Sequence, residues 1–150
     1  MIRTQTVNIK VVVPPPKLHI YNEYIIEKVN NIEGTVYSNK CGYVESILNI
    51  NSIEQTDLSI INFSGDIIYK VSFDVMCINP QPGDVFSCTV SNVDNIIYSE
   101  DNIIKTIIIN ESEITGIKVG DNIRVQVLVS EINKITNTIK VVGRLIGFEQ

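Results

Sequence analysis

Polar and hydrophobic positions alternate over residues 4–13, where Val7, Ile9 and Val11 are spaced by polar side chains before Val12 and Val13 close the run. A two-residue period marks a strand, and the prolines at 14–16 end it because proline has no N–H to give a sheet ladder. The period then changes. Leu18, Tyr21, Ile25, Val29 and Ile32 recur at steps of three and four, with Glu23, Glu27, Lys28 and Asn30 between them. This spacing predicts an amphipathic helix of about three turns that packs on a sheet and stops before Gly34. Beyond Gly34 the strand pattern returns, over residues 35–38, 43–50, 58–62 and 67–78. Two turns punctuate these runs: Asn39, Lys40, Cys41 and Gly42, then Phe63, Ser64, Gly65 and Asp66. Each holds a glycine able to take positive φ. One helix beside an antiparallel sheet makes an α+β unit.

Asn79, Pro80, Gln81, Pro82, Gly83 and Asp84 put two prolines and a glycine into six residues, which predicts a boundary and domains at 1–80 and 81–150. The second half is almost purely β. Residues 85–90, 96–99, 105–109, 123–132 and 138–146 read as five short strands, with Gly83-Asp84 and Gly120-Asp121 opening the first and the fourth. That series suits a small all-β barrel of the OB type. Residues 112–114 fit the brief turn or helix such barrels place after the third strand. In the fourth strand Ile123, Val125, Val127 and Val129 share one face, and Arg124, Gln126 and Ser130 the other. Leu128 is out of phase, as a bulge or a contact with the first domain would make it.

Composition narrows the function classes. The chain has 150 residues, 44% hydrophobic and 19% charged, which is enough apolar material for a core and argues against disorder. No apolar run approaches the roughly 18–20 residues of a membrane span, and the first residues lack the apolar core of a signal peptide, so an intracellular protein is expected. Cys41, Cys77 and Cys88 form no Cys-x-x-Cys pair, and His19 is the single histidine, so neither a disulfide framework nor a zinc site is expected. Each cysteine reads instead as a small buried or half-buried residue. There is no glycine-rich nucleotide loop and no Gly-x-Ser-x-Gly, so no catalytic residues and no cofactor are expected. Asp84 and Asp121 follow glycines at strand starts, where aspartate usually caps a turn. The net charge of −5 works against phosphate binding, which draws on Lys and Arg displacing counterions. Alanine and tryptophan are absent while isoleucine and asparagine abound, as in coding sequences driven toward A and T.

The order of these parts is recognisable: strand, proline loop, helix, Glu33-Gly34-Thr35, strands, Pro82-Gly83-Asp84 and a β-barrel. Its most specific stretches are Ile32-Glu33-Gly34-Thr35-Val36, Cys41-Gly42-Tyr43-Val44, Asp66-Ile67-Ile68-Tyr69-Lys70-Val71-Ser72-Phe73 and Pro82-Gly83-Asp84-Val85-Phe86. Over essentially the whole chain it resembles the seventh subunit of eukaryotic RNA polymerase II and the archaeal counterpart of that stalk protein. The compact length and AT bias suit a large-DNA-virus version. The resemblance implies a non-catalytic stalk subunit of a DNA-dependent RNA polymerase. Its tip domain would plug into the core near the clamp through the turns at 39–42 and 63–66, and its OB barrel would stand by the RNA exit path. The implied partners are the largest polymerase subunits, a small helical stalk partner and, weakly, nascent single-stranded RNA. The implied place is the site of transcription: the nucleus, or a cytoplasmic viral factory or virion for a viral version.

For the RNA contact the resemblance points to Tyr98 as a stacking platform, with Lys105, Arg124, Lys140 and Arg144 as nearby cations. Two departures stand out. The turn before Tyr98 is Asp94-Asn95, without the glycine usual in RNA-binding barrels of this type, although asparagine tolerates left-handed φ. Asn110-Glu111-Ser112 replaces the histidine and serine often found after the third strand, and a carboxylate there disfavours phosphate. A free-standing OB-fold RNA-binding protein of translation or RNA processing is the competing expectation, opposed by the net acidity. An enzyme is the weakest.

Overall fold

The computed structural model describes residues 1–56 and 65–149. The strand expected at 58–62 lies outside them. The described chain is mostly β, with one short α-helix and two sheets. β1 (Ile2–Val13), β2 (Val36–Ser38), β3 (Gly42–Gln55) and β4 (Ile67–Ile78) form a four-stranded sheet in the order β1-β4-β3-β2. β5 (Val85–Thr89), β6 (Ile97–Glu100), β7 (Ile104–Ile109), β8 (Asn122–Asn133) and β9 (Thr138–Phe148) form a five-stranded sheet in the order β5-β8-β9-β7-β6.

By its contacts the chain divides into two compact units. One holds Arg3–Thr35 and Val44–Cys77; the other holds Met1–Ile2, Val36–Tyr43 and Ile78–Gln150. In the first unit the strand alternation is visible in burial: Tyr69, Val71, Phe73, Val75 and Cys77 of β4 and Val7, Val11 and Val13 of β1 are all buried. The prolines do more than end β1. Pro15–Ile20 forms a 3-10 helix, and α1 (Tyr21–Asn30) starts only after it. Pro15 stands at the start of that turn, where a missing N–H costs nothing. Of the helical stripe, Ile25 and Val29 are fully buried, each contributing about 1.5–3 kcal/mol. Tyr21 departs from the expected packing: it stays 41% exposed while its ring stacks on Tyr69, centroids 5.0 Å apart.

In the second unit β8 and β9 are antiparallel, β9 and β7 parallel, β7 and β6 antiparallel, and β5 pairs with β8. Ile104, Thr106 and Ile108 of β7 alternate inward with Ile139, Val141 and Leu145 of β9. The sheet curls into a half-barrel, its interior filled by Val90, Ile108, Ile123, Val125 and Leu145 and by Ile104, Val127, Ile139 and Val141.

The phase of β8 corrects the sequence expectation at one point. Val127 pairs with Gly143 and Val129 with Val142, so Leu128 is an extra residue in β8 with no partner in β9. Such a bulge moves every later side chain to the opposite face. Val129 is therefore 60% exposed, not inward with Ile123, Val125 and Val127, while Ile132 packs against the interior.

Three further expectations concern turns. Asp84 and Asp121 do cap theirs: Asp84 Oδ2 accepts from Gln81 N at 2.9 Å and Asp121 Oδ2 from Lys118 N at 2.8 Å. In both, the aspartate N–H returns a bond to the same upstream residue's carbonyl, and the preceding glycine has φ +95 or +93. At 112–114 the chain takes the turn rather than the helix: Glu113 N donates to Asn110 O at 3.4 Å. Asn110 also brackets Ile114, donating to its carbonyl at 2.8 Å and accepting from its N–H at 3.0 Å. Among the described residues the asparagine in left-handed conformation is Asn137 (φ 54), in the β8–β9 turn, and not Asn95.

Candidate nucleic-acid interface

All five residues proposed for RNA contact lie on the same face of the five-stranded sheet. The register puts Tyr98 of β6 opposite Ile107 of β7, Ile107 opposite Val142 of β9, and Val142 opposite Val129 of β8. Residues in register point to one side of a sheet, so these four make an apolar row across it. Ile107 is 42% exposed and Tyr98 half-buried, so this row lies on the face away from the packed interior. Tyr98 is not part of the core. It is half-buried on this outer face, where a base-stacking side chain would stand.

Charged residues flank the row. One neighbouring line runs Glu100–Lys105–Lys140–Glu131 across the same strands, and Lys105 Nζ lies 3.6 Å from Glu100 Oε1. On the other side Arg144 is in register with Ile109 and Gln126, and its Nε lies 3.8 Å from Glu111 Oε2. Arg124 sits nearer the edge, opposite Ser87 and Gly147. Glu111, expected to repel phosphate, thus acts by holding Arg144. Both ion pairs are between largely exposed side chains and are worth about 0–1 kcal/mol each. Two cations are engaged, whereas Lys140 and Arg124 have no ion pair among the described residues. The face offers an apolar aromatic strip and a small, half-neutralised set of cations.

The sequence singled out the charged residues and Tyr98 but not the apolar row. Ile107 and Val142 read as ordinary strand residues, and only the out-of-phase Leu128 hinted that Val129 turns outward.

The two glycine turns fall in different compact units. Residues 39–42 belong to the unit that contains the half-barrel, Gly65 and Asp66 to the other, and Phe63 and Ser64 lie outside the described residues. The turn at 39–42 is held locally: Asn79 Nδ2 donates to the carbonyls of Asn39 (3.3 Å) and Lys40 (2.8 Å), and Cys41 N donates to Ser38 Oγ. Cys41 and Gly42 are buried, leaving Asn39 and Lys40 exposed. Gly42 has φ +77, and a Cβ there would lie 2.4 Å from the Ile78 carbonyl oxygen, so only glycine fits.

Cys41 and Cys77 are buried and Cys88 half-buried, each a thiol rather than half of a disulfide. Burial pushes the Cys88 thiol above its ordinary value, against a smaller downward pull from a hydrogen bond with Ser99, so it is poorly disposed to act as a thiolate. Among the described residues no group of three His, Cys, Asp or Glu is placed to hold a metal ion, and no helix is long and apolar enough to cross a membrane. No family model matches the chain, and neither does any curated protein.

Proposed function

We propose that this chain is a non-catalytic stalk subunit of a DNA-dependent RNA polymerase, with its half-barrel acting as an OB domain beside the emerging transcript. The observation that carries the reading is the sequence of its parts: a helix-bearing sheet, the Pro-Gly-Asp junction, then a curled five-stranded sheet whose third and fifth strands are parallel. OB barrels use the face of their second and third strands for oligonucleotides, and here those strands, β6 and β7, carry Tyr98, Lys105 and Ile107. Core docking falls to the side chains of Asn39 and Lys40 and to Gly65 and Asp66, since Cys41 and Gly42 are buried.

The test is the composition of a complex purified through this chain. The two largest polymerase subunits should co-purify in stoichiometric amount, with a small helical partner where the source encodes one. Their absence, with only nuclease-sensitive RNA recovered, would replace this reading by the second: a free-standing OB-fold RNA-binding protein. Lys140, beside the apolar row, and Arg124, nearer the sheet edge, have no ion pair among the described residues and favour that alternative; the net charge of −5 opposes it.

A further inference from the structure

The half-barrel has a seam between β5 and β6, the two end strands of the sheet. One half of the seam is fastened. Asn92 and Tyr98 form an isolated bridge, Ser91 N donates to Tyr98 O, Ser99 Oγ donates to Thr89 O at 2.7 Å, and Glu100 N donates to Ser91 Oγ at 3.0 Å.

The other half is open. Backbone groups along an antiparallel strand face its two edges alternately. Val127 N donates to Asp84 O and Val90 N to Asp121 O, so within that ladder Phe86 and Cys88 face β8. Val85, Ser87 and Thr89 then face the seam, which agrees with the Thr89 carbonyl receiving Ser99. At Val85 and Ser87 no strand pairs with that edge among the described residues. A cavity of about 500 Å³ lies here. Its apolar floor includes Ile78, Phe86 and Ile104, with the Thr106 hydroxyl beside them, and Glu100 and Asp101 stand on its wall.

We propose that this open half-seam binds an extended peptide whose side chains alternate apolar and basic. Unpaired N–H and C=O groups select a strand, which adds to the β5 edge by main-chain hydrogen bonds. The floor takes the inward apolar side chains, and the period of two sends the intervening ones to the acidic wall. The same two carboxylates repel the phosphates of single-stranded RNA. The open edge spans Val85 to Ser87, so the segment is short: about four residues, roughly 13 Å of extended chain. Glu100, which also pairs with Lys105, is shared with the outer face that carries Tyr98; the floor and the β5 edge are not, and the site does not depend on the polymerase reading.

The experiment titrates the purified full chain into a fluorescein-labelled, end-capped valine–lysine hexapeptide and follows anisotropy. A valine–glutamate hexapeptide and an oligouridylate serve as comparison probes. The wild type should bind the lysine peptide saturably and the glutamate peptide not at all. Ser87→Pro removes an N–H on an edge where proline is tolerated, and should weaken binding about tenfold, the loss of one net hydrogen bond. Glu100→Lys with Asp101→Lys should weaken it at least as much. Amide exchange at Ser87 in the wild type should slow when the lysine peptide is added, a readout that stands even where Ser87→Pro fails to fold. Equal binding of both peptides, or lysine-peptide binding unchanged by the charge reversal with no slowing at Ser87, would overturn the proposal. So would oligouridylate binding strengthened by the reversal with no peptide binding, or self-association of the chain abolished by Ser87→Pro.

Discussion

The carboxylate of Asp74 lies on β4, the strand between β1 and β3, and it is held from both sides. Thr6 Oγ1 donates to Asp74 Oδ1 at 2.7 Å and Asn51 Nδ2 at 2.9 Å, with Asn49 bonded in turn to Asn51. The Thr6 bond first, then the Asn51 bond, hold the group below the usual carboxylate range, outweighing a small opposing effect of burial. A lowered folded-state pKa means stability that is present above the unfolded value and lost as pH falls through the folded one. Melting temperature should therefore fall with acidification below about pH 4, and Asp74→Asn should flatten that part of the curve by lowering its neutral end, the two proteins converging in acid. A circular-dichroism melting series from pH 2 to 7 checks this; identical acid-side slopes would remove Asp74 from the account. None of this was legible in the sequence, because Thr6, Asn51 and Asp74 meet only through strand pairing. The capping roles of Asp84 and Asp121 were legible, because a Gly-Asp turn is closed by its own neighbours.

Elements were easier to read than their phases. Strand alternation located β4 and β8 closely, and the stripe of three- and four-residue steps found the helix. Three differences have physical causes. Proline geometry winds residues 15–20 into a 3-10 turn and delays the α-helix. β3 runs on to Gln55, past the expected end at residue 50, because Asn49 and Asn51 occupy a solvent-facing row that a hydrophobic pattern undervalues. The bulge at Leu128 reverses the faces of β8, and the alternation Val125, Val127, Val129 conceals it. A matched pair of substitutions tests the reversal. Val127 is buried, so Val127→Asp should cost more than about 3 kcal/mol or prevent folding, since it buries an unpaired charge. Val129→Asp, on an exposed position, should stay within about 0.5 kcal/mol by urea denaturation. Comparable losses from both would mean the strand keeps one phase throughout.

Across the whole molecule the charge balance governs how RNA would be held. Lys105 and Arg144 are engaged by Glu100 and Glu111, so in the proposed RNA contact Lys140 and Arg124 would be the principal phosphate partners. Two neutralised phosphates on a single strand give a log-affinity against log-salt slope of roughly −1.4, shallow beside that of a dedicated binder. Tyr98→Ala should remove about 1–3 kcal/mol of stacking whatever the base, and Glu111→Gln should steepen the salt slope by releasing Arg144. Filter binding of oligouridylate over a salt series measures both. A steep wild-type slope with Tyr98→Ala unchanged would take the contact away from this face.

The central position of β9 also bears on how the protein is made. β9 is the last of the five strands to leave the ribosome, yet it joins β8 to β7, and without it the sheet is left as two pairs, β5–β8 and β6–β7, joined only at the fastened half of the β5–β6 seam. Isolated strand pairs are marginal in water. The half-barrel therefore cannot assemble piecemeal from its beginning during synthesis; it must wait for residues 138–148 and then close in one late, long-range step, with the apolar edges of its incomplete strands exposed to chaperones or to one another until it does.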